Sequence, residues 1–188
     1  MRHIKSYRLF ETSLSPLLTL KNNVDNELVS KIKSLINRGS KILEISCGNG
    51  SDAIELSNSG YNVITTELND GYIDFVRSQG VECIKHDTRE RFPFSNGEFD
   101  LVYSRFGLHY FNQEELIGIF EEIKRLTTRY LVFTVKLVDD NMQWGKVIFT
   151  EETWKDLVSK EFMIISSEIK EGLQYGSQSK WLEIVAKK

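Results

Sequence analysis

Residues 41–53 read Lys41-Ile42-Leu43-Glu44-Ile45-Ser46-Cys47-Gly48-Asn49-Gly50-Ser51-Asp52-Ala53. The run 41–46 is short, apolar and β-branched, as a buried strand is, and helical spacing begins at residue 51. Glycines at 48 and 50 remove the Cβ atoms that would hold a ligand off the backbone, and glycine also accepts positive φ. A strand that passes through such a tight turn straight into a helix opens a βαβ unit. It predicts a parallel sheet with ligands bound at the carboxyl ends of its strands.

The rest of the chain repeats that alternation. Before the turn, residues 22–38 place Val24, Leu28, Val29, Ile32, Leu35 and Ile36 on one helix face, with Gly39 as the stop signal. After it come a helix over 51–59, a strand over 61–68, a helix over 70–79 and a short strand over 81–87. Ser95, Asn96 and Gly97 supply turn chemistry ahead of a strand at 99–105. A helix over 112–128 and an almost wholly apolar strand over 129–138 follow, the latter expected to be buried on both faces. Thr150 caps a helix over 151–161. Two final strands, 162–169 and 180–187, have no helical period between them, so residues 171–179 read as a link and the strands as antiparallel neighbours at the sheet edge. The expected fold is α/β: a three-layer sandwich around a seven-stranded, mostly parallel sheet with an antiparallel C-terminal strand.

Composition bounds the rest. The 188 residues are 40% hydrophobic and 27% charged with only 2 Pro, which suits one domain over 1–188 and excludes a disordered or collagenous chain. No apolar run approaches the roughly 20 residues of a membrane span. The first twenty residues lack an apolar leader core, and the expected location is cytoplasmic. Cys47 and Cys83 are too few for a disulfide framework, and no Cys/His spacing or carboxylate–histidine cluster points to a metal. A formal net charge of −3 gives no general attraction to nucleic acid or to a membrane surface. Residues 1–40 nevertheless hold seven Lys/Arg against three Asp/Glu, either a solvated helix face or an anion-binding lid.

The glycine turn alone leaves its ligand open. Read as Gly48-x-Gly50-x-x-Ala53 it satisfies the dinucleotide fingerprint, with Glu67 near the separation of a ribose contact. It also serves as a plain strand-to-helix turn. A wider set of motifs is more specific. Glu44-Ile45-Ser46-Cys47-Gly48-Asn49-Gly50 resembles the E/D-x-G-x-G-x-G first motif of class I S-adenosylmethionine-dependent methyltransferases, in the type 11-like group of small single-domain members. Glu67 and Asp87 stand where that family carries acids after its second and third strands. Pro93-Phe94 through Phe99-Asp100-Leu101-Val102 matches its P-F-x-x-x-x-F-D-x-V segment, and Ser104–Tyr110 (SRFGLHY) resembles the stretch that follows. These matches run in order over about residues 40–112. The chain departs from the pattern at Ser46, where the motif has glycine; if that position needs positive φ, the serine Cβ costs energy.

The resemblance implies a Rossmann-like fold that binds S-adenosyl-L-methionine. Its amino-acid part would meet Glu44, the turn residues Ser46, Cys47, Gly48, Asn49 and Gly50, and Ser104. Its ribose would rest on Glu67 beside Leu68, and its adenine near Asp87 and Thr88. A carboxylate accepts from both ribose hydroxyls, which suits Glu67; Glu67 and Asp87 otherwise read as caps of the helix or turn that follows. His109 is the candidate general base, or else a structural hydrogen-bonding residue. The acceptor side is expected to include Tyr7, Arg8, Arg105, His109, Lys136 and Trp144, with residues 1–21 as a lid. Phe106, Tyr110 and Phe111 read as core or adenine-packing residues rather than a substrate cage, and Trp181 as edge-strand core. The implied reaction moves a methyl group to an O, N or S atom of a small-molecule acceptor, in a monomer or homodimer. Two alternatives stay open: a non-catalytic binding protein on the same sheet, and a nicotinamide oxidoreductase.

Overall fold

A computed structural model describes residues 24–137, 149–174 and 177–188. The first described helix, α1 (Asn26–Leu35), starts where the Asp25 side chain accepts the Leu28 amide at 3.0 Å, and it buries Leu28, Val29 and Ile32. That cap makes it shorter than the apolar period alone suggests. The strand β1 (Lys41–Ile45) leads into α2 (Ser51–Asn58), β2 (Asn62–Glu67), α3 (Asp70–Ser78) and β3 (Glu82–Lys85). Then follow β4 (Phe99–Arg105), a single 3-10 turn at Leu108–Tyr110, α4 (Gln113–Leu126) and β5 (Thr127–Lys136). The chain closes with α5 (Glu151–Ser159), β6 (Met163–Gln174) and β7 (Ser177–Lys187).

Among the described residues, seven strands form one sheet in the order β3-β2-β1-β4-β5-β7-β6. Strands β1 to β5 are parallel, and β7 runs antiparallel to both β5 and β6. The strand order reverses between β1 and β4, which opens a crevice at their carboxyl ends. Alternation along the strands sorts the core into two layers. Ile42, Leu101, Tyr103 and Val132 pack with α1, α2 and α3, while Leu43, Ile45, Phe133 and Val135 pack with α4 and α5. Trp154 of α5 is fully buried between Phe133 and Phe149.

The helix expected over 112–128 ends two residues early. A capping box of Asn112 and Glu115 starts α4, but Thr127 is already extended, and the Thr128 hydroxyl donates to the Phe99 carbonyl at 3.1 Å. The β-branched pair thus joins β5 without a loop. The larger difference is the C-terminal hairpin. The ladder continues through Glu171↔Lys180, Gly172↔Ser179 and Gln174↔Ser177, where residues 171–179 read as a link. The ladder hydrogen bonds hold this ribbon extended without apolar alternation, so its Gly, Gln and Ser residues carry no strand signal. Because the β5–β7 ladder stops at Lys136↔Trp181, that ribbon overhangs the carboxyl edge of the sheet. On the α1 side, buried Glu183 pairs with Lys31 and with Lys170 (2.8 Å), which fastens β7 to the helix and to β6.

Candidate functional site

The turn after β1 is left-handed at Ser46 (φ 57°), Gly48 (φ 55°) and Gly50 (φ 64°). The two glycines are needed for different reasons. A Cβ on Gly50 would sit 2.7 Å from the Val76 Cγ2 atom, so that glycine lets α2 close on α3. A Cβ on Gly48 would meet no atom within 4 Å and would project into open space. Gly48→Ala is therefore expected to cost only the left-handed penalty, about 1–2 kcal/mol of stability, while weakening a ligand bound in that hollow at least tenfold. Gly50→Ala is expected to show the larger melting loss, because the Val76 clash adds to the same penalty. Thermal melts with calorimetric titration of both variants check this.

Ser46 does occupy the strained region that a serine fits badly. Its hydroxyl lies 3.3 Å from that of Thr88, and Gly107 gives its Cβ room: a Cβ at 107 would fall 2.8 Å from Ser46 Cβ and 2.6 Å from Ser104 Oγ. Sequence reasoning did not single out Gly107, although a glycine straight after a buried strand was its signal. Ser104 Oγ donates to the Ile45 carbonyl at 3.0 Å and ties the end of β4 to that of β1. Asn49 Oδ1 accepts from the Ser51 hydroxyl (2.8 Å), and Cys47 Sγ lies 4.0 Å from Cys83 Sγ.

Glu67 ends β2 facing this turn. Its Oε2 accepts the Gly48 amide at 2.8 Å, and its Oε1 accepts those of Leu68 (2.7 Å) and Asn69 (3.1 Å). The cap of α3 is Asn69, whose side chain accepts from the Tyr72 amide. Glu67 is thus not spent on the helix cap; it is a buried carboxylate clamped by backbone donors at the strand edge. Leu68 beside it leaves 39% of its surface exposed, an apolar face next to that carboxylate.

Asp87 and Thr88 lie on the neighbouring edge. The Asp87 carboxylate accepts from Arg89 through Nε (2.9 Å) and the backbone amide (3.0 Å), and the Arg89 guanidinium holds it below the usual carboxylate range. A turn-anchoring role is therefore already filled at Asp87, and an adenine amine there would share the carboxylate with Arg89.

Under the turn lies a buried charge cluster. Arg105 Nε sits 2.6 Å from the Asp52 Oδ2 atom, and Asp52 Oδ1 accepts the Asp25 amide at 2.9 Å. Burial pushes Asp52 up to about 6, against the pull of Arg105. Glu44 is raised well above the carboxylate range by burial and then by the charge of Asp52, with the Tyr103 hydroxyl working the other way. Arg105, expected on the acceptor side, is thus committed to a buried acid. Asp52 was missed, although an acid in the first turn of the helix after a glycine loop was visible in the sequence.

His109 is buried in the 3-10 turn, its ring 4.6 Å from Tyr110 and edge-on to Phe106 at 6.1 Å. Lys136 closes β5, and burial lowers its ammonium from the ordinary lysine value. Tyr7, Arg8, Trp144 and residues 1–21 lie outside the described residues. Among those described, no three His, Cys, Asp or Glu side chains are grouped as metal ligands, and no helix is long and apolar enough to cross a membrane.

The donor set fits an adenosyl cofactor bearing an amino acid. A clamped carboxylate faces the glycine turn, where it could accept from ribose hydroxyls, open space lies over Gly48, and the buried Glu44 Oε2 has no hydrogen-bond partner among the described residues. Residues 42–129 match a family described as a methyltransferase domain. An uncharacterized methyltransferase of Synechocystis is 29% identical over 96 residues, which cover 48% of this chain and 43% of the relative. A tabtoxin biosynthesis enzyme of Pseudomonas amygdali pv. tabaci is 32% identical over 120 residues, covering 62% and 47%. The chain thus spans less than half the length of these curated relatives. A crystal structure of a SAM-dependent methyltransferase from Methanosarcina mazei superimposes with a TM-score of 0.72 at 19% identity, over 84% of this chain and 96% of that one.

Proposed function

We propose that the chain is a class I S-adenosylmethionine-dependent methyltransferase, a reading that the matched domain and the fold support, and that it acts as a single domain to methylate an oxygen, nitrogen or sulfur atom of a small-molecule acceptor. The observation that carries this reading is the Glu67 carboxylate, clamped by three backbone amides opposite the open space over Gly48. In this reading Glu67 accepts from the ribose hydroxyls while the amides hold it still. Leu68 offers its exposed face to the adenine, with Asp87 and Thr88 at its rim. The turn residues Ser46, Cys47, Gly48, Asn49 and Gly50 shape the hollow for the amino-acid part, with Ser104 at the end of β4. Glu44 supplies the unmatched carboxyl oxygen there.

The cofactor, when bound, would supply a methyl group on a sulfonium, open to in-line displacement by the acceptor's lone pair with the carbon–sulfur electron pair leaving on sulfur. The protein's main task is then to align two reactants. For an acceptor that arrives as a hydroxyl or ammonium, His109 is the candidate base that takes the proton; a thiolate or carboxylate needs none. Tyr7, Arg8 and Trp144 are assigned to the acceptor side on sequence alone. The likeness to a tabtoxin biosynthesis enzyme supports a small-molecule acceptor.

Calorimetric titration with S-adenosylmethionine and S-adenosylhomocysteine, with NAD and NADP as controls, tests the reading. Micromolar binding of the two sulfur compounds and none of the dinucleotides is expected. Binding of neither sulfur compound would overturn it in favour of a protein that kept the sheet for another partner.

A further inference from the structure

We propose that the buried acids Glu44 and Asp52 hold one proton between them, carried by Glu44, and that the ammonium of an adenosyl amino acid bound at the glycine turn drives that proton out. This inference rests on the methyltransferase reading and adds a proton to its binding equilibrium.

Both acids lie in the layer between the sheet and helices α1 to α3. Glu44 follows Ile42 by two positions on β1 and so projects to the same face, while Asp52 stands in the first turn of α2. Glu44 is 3% exposed and Asp52 0%. Two carboxyl groups buried near each other do not both ionise readily, because each negative charge disfavours the other.

The two acids are not served alike. Asp52 Oδ2 sits 2.6 Å from Arg105 Nε, and its Oδ1 accepts the Asp25 amide at 2.9 Å, so both oxygens are engaged. Glu44 Oε2 has no hydrogen-bond partner among the described residues. A carboxylate oxygen buried without a donor carries its full desolvation cost, which a neutral carboxyl largely avoids. The titratable groups that act on Glu44 are Asp52 from α2, Tyr103 and Arg105 from β4, and Cys83 from β3. Asp25, ahead of α1, acts on Asp52, and Cys47 of the turn lies against Cys83. Arg105 is the cation in this set, and one guanidinium balances one carboxylate. The direction of the Glu44 shift, upward through burial and then through the charge of Asp52, agrees with a retained proton.

A bound ammonium changes the count. It pairs with a carboxylate and not with a carboxylic acid, so it favours ionised Glu44: the O–H bond breaks, its electron pair stays on the carboxylate, and the proton passes to the buffer. The free protein then holds the proton more tightly than the complex does. Affinity therefore rises with pH wherever the proton is released, by about tenfold per pH unit for one full proton.

The full chain is titrated with S-adenosylhomocysteine at pH 7 in buffers of different ionisation enthalpy, which reads the protons released. Roughly half a proton or more per ligand is expected. 5′-Methylthioadenosine, which keeps the adenosine and the thioether but lacks the amino acid, should release none. Glu44→Gln should abolish the release; the parent's advantage in affinity over this variant should be within about threefold at pH 5.5 and exceed tenfold at pH 8. Asp52→Asn leaves Arg105 free to balance Glu44 and should reduce the release. S-adenosylhomocysteine binding without proton exchange, equal release by 5′-methylthioadenosine, or undiminished release in Glu44→Gln would overturn the proposal and leave the methyltransferase reading intact. Failure of S-adenosylhomocysteine to bind at any pH would overturn both.

Discussion

Glu67→Ala is expected to lower S-adenosylhomocysteine affinity at least a hundredfold. The carboxylate would accept from two ribose hydroxyls, and hydrogen bonds to a charged group contribute about 1.5–3 kcal/mol each. Losing about 2.7 kcal/mol already amounts to a hundredfold. The same substitution removes the acceptor for the amides of Gly48, Leu68 and Asn69. A melting loss equivalent to about 1–3 kcal/mol should therefore accompany it, since buried donors left unmade carry their full desolvation cost. Glu67→Gln separates the two effects. It keeps one carbonyl acceptor, but its amide nitrogen must turn a donor toward either Gly48 or Leu68, so affinity should fall by at least tenfold in a protein that still folds. A folded Glu67→Gln that binds within threefold of the parent would remove Glu67 from the cofactor site.

Arg105→Met is expected to destabilise the fold in a pH-dependent way, and the dependence identifies the cause. Asp52 ionises near 6 in the folded protein against an ordinary 3.8, so its neutral form is the one the fold prefers. Its favourable contribution is complete below about pH 4 and is lost as pH rises through about 6. Arg105 limits that loss by stabilising the carboxylates of Asp52 and Glu44. Without it both carboxyls shift further upward, and ionising them costs more at neutral pH. Removing one partner of a buried pair costs about 3–5 kcal/mol. Urea unfolding should show that loss at pH 8 and only a small one near pH 4.5. An equal loss at both would mean that Arg105 acts through packing of its stem. Asp52→Asn in the Arg105→Met background should recover part of the stability at pH 8 if charge is the cause.

The motifs that carry the resemblance to methyltransferases are local, and so they were legible in one dimension. Strand β1, the glycine turn and the start of α2 are contiguous, and each depends on residue types a few positions apart: β-branched residues for the strand, glycine for the turn. Glu67 was singled out by the same resemblance, which places an acid after the second strand; its clamp by three backbone amides appears only in the folded chain. The sheet class followed from the alternation of short apolar runs with helical periods.

Roles that depend on partners distant in the chain were not legible. Arg105 reads as a substrate arginine until Asp52, 53 positions earlier, is folded beneath it. Ser46 reads as a misfit until Gly107 is seen to vacate the space its Cβ needs. Trp181 reads as a core residue of an edge strand, yet β7 lies inside the sheet and β6 takes the edge, which brings the indole to Phe106 and Lys136. Near-neighbour spacing is written in periodicity. Contacts between distant elements are set by which strands pair, and strand pairing is settled by packing of the whole sheet between its two helical layers. The sequence therefore determined the βαβ frame and the strand ends at which a ligand is expected, while tertiary packing decided which charges are buried together and which distant side chains meet.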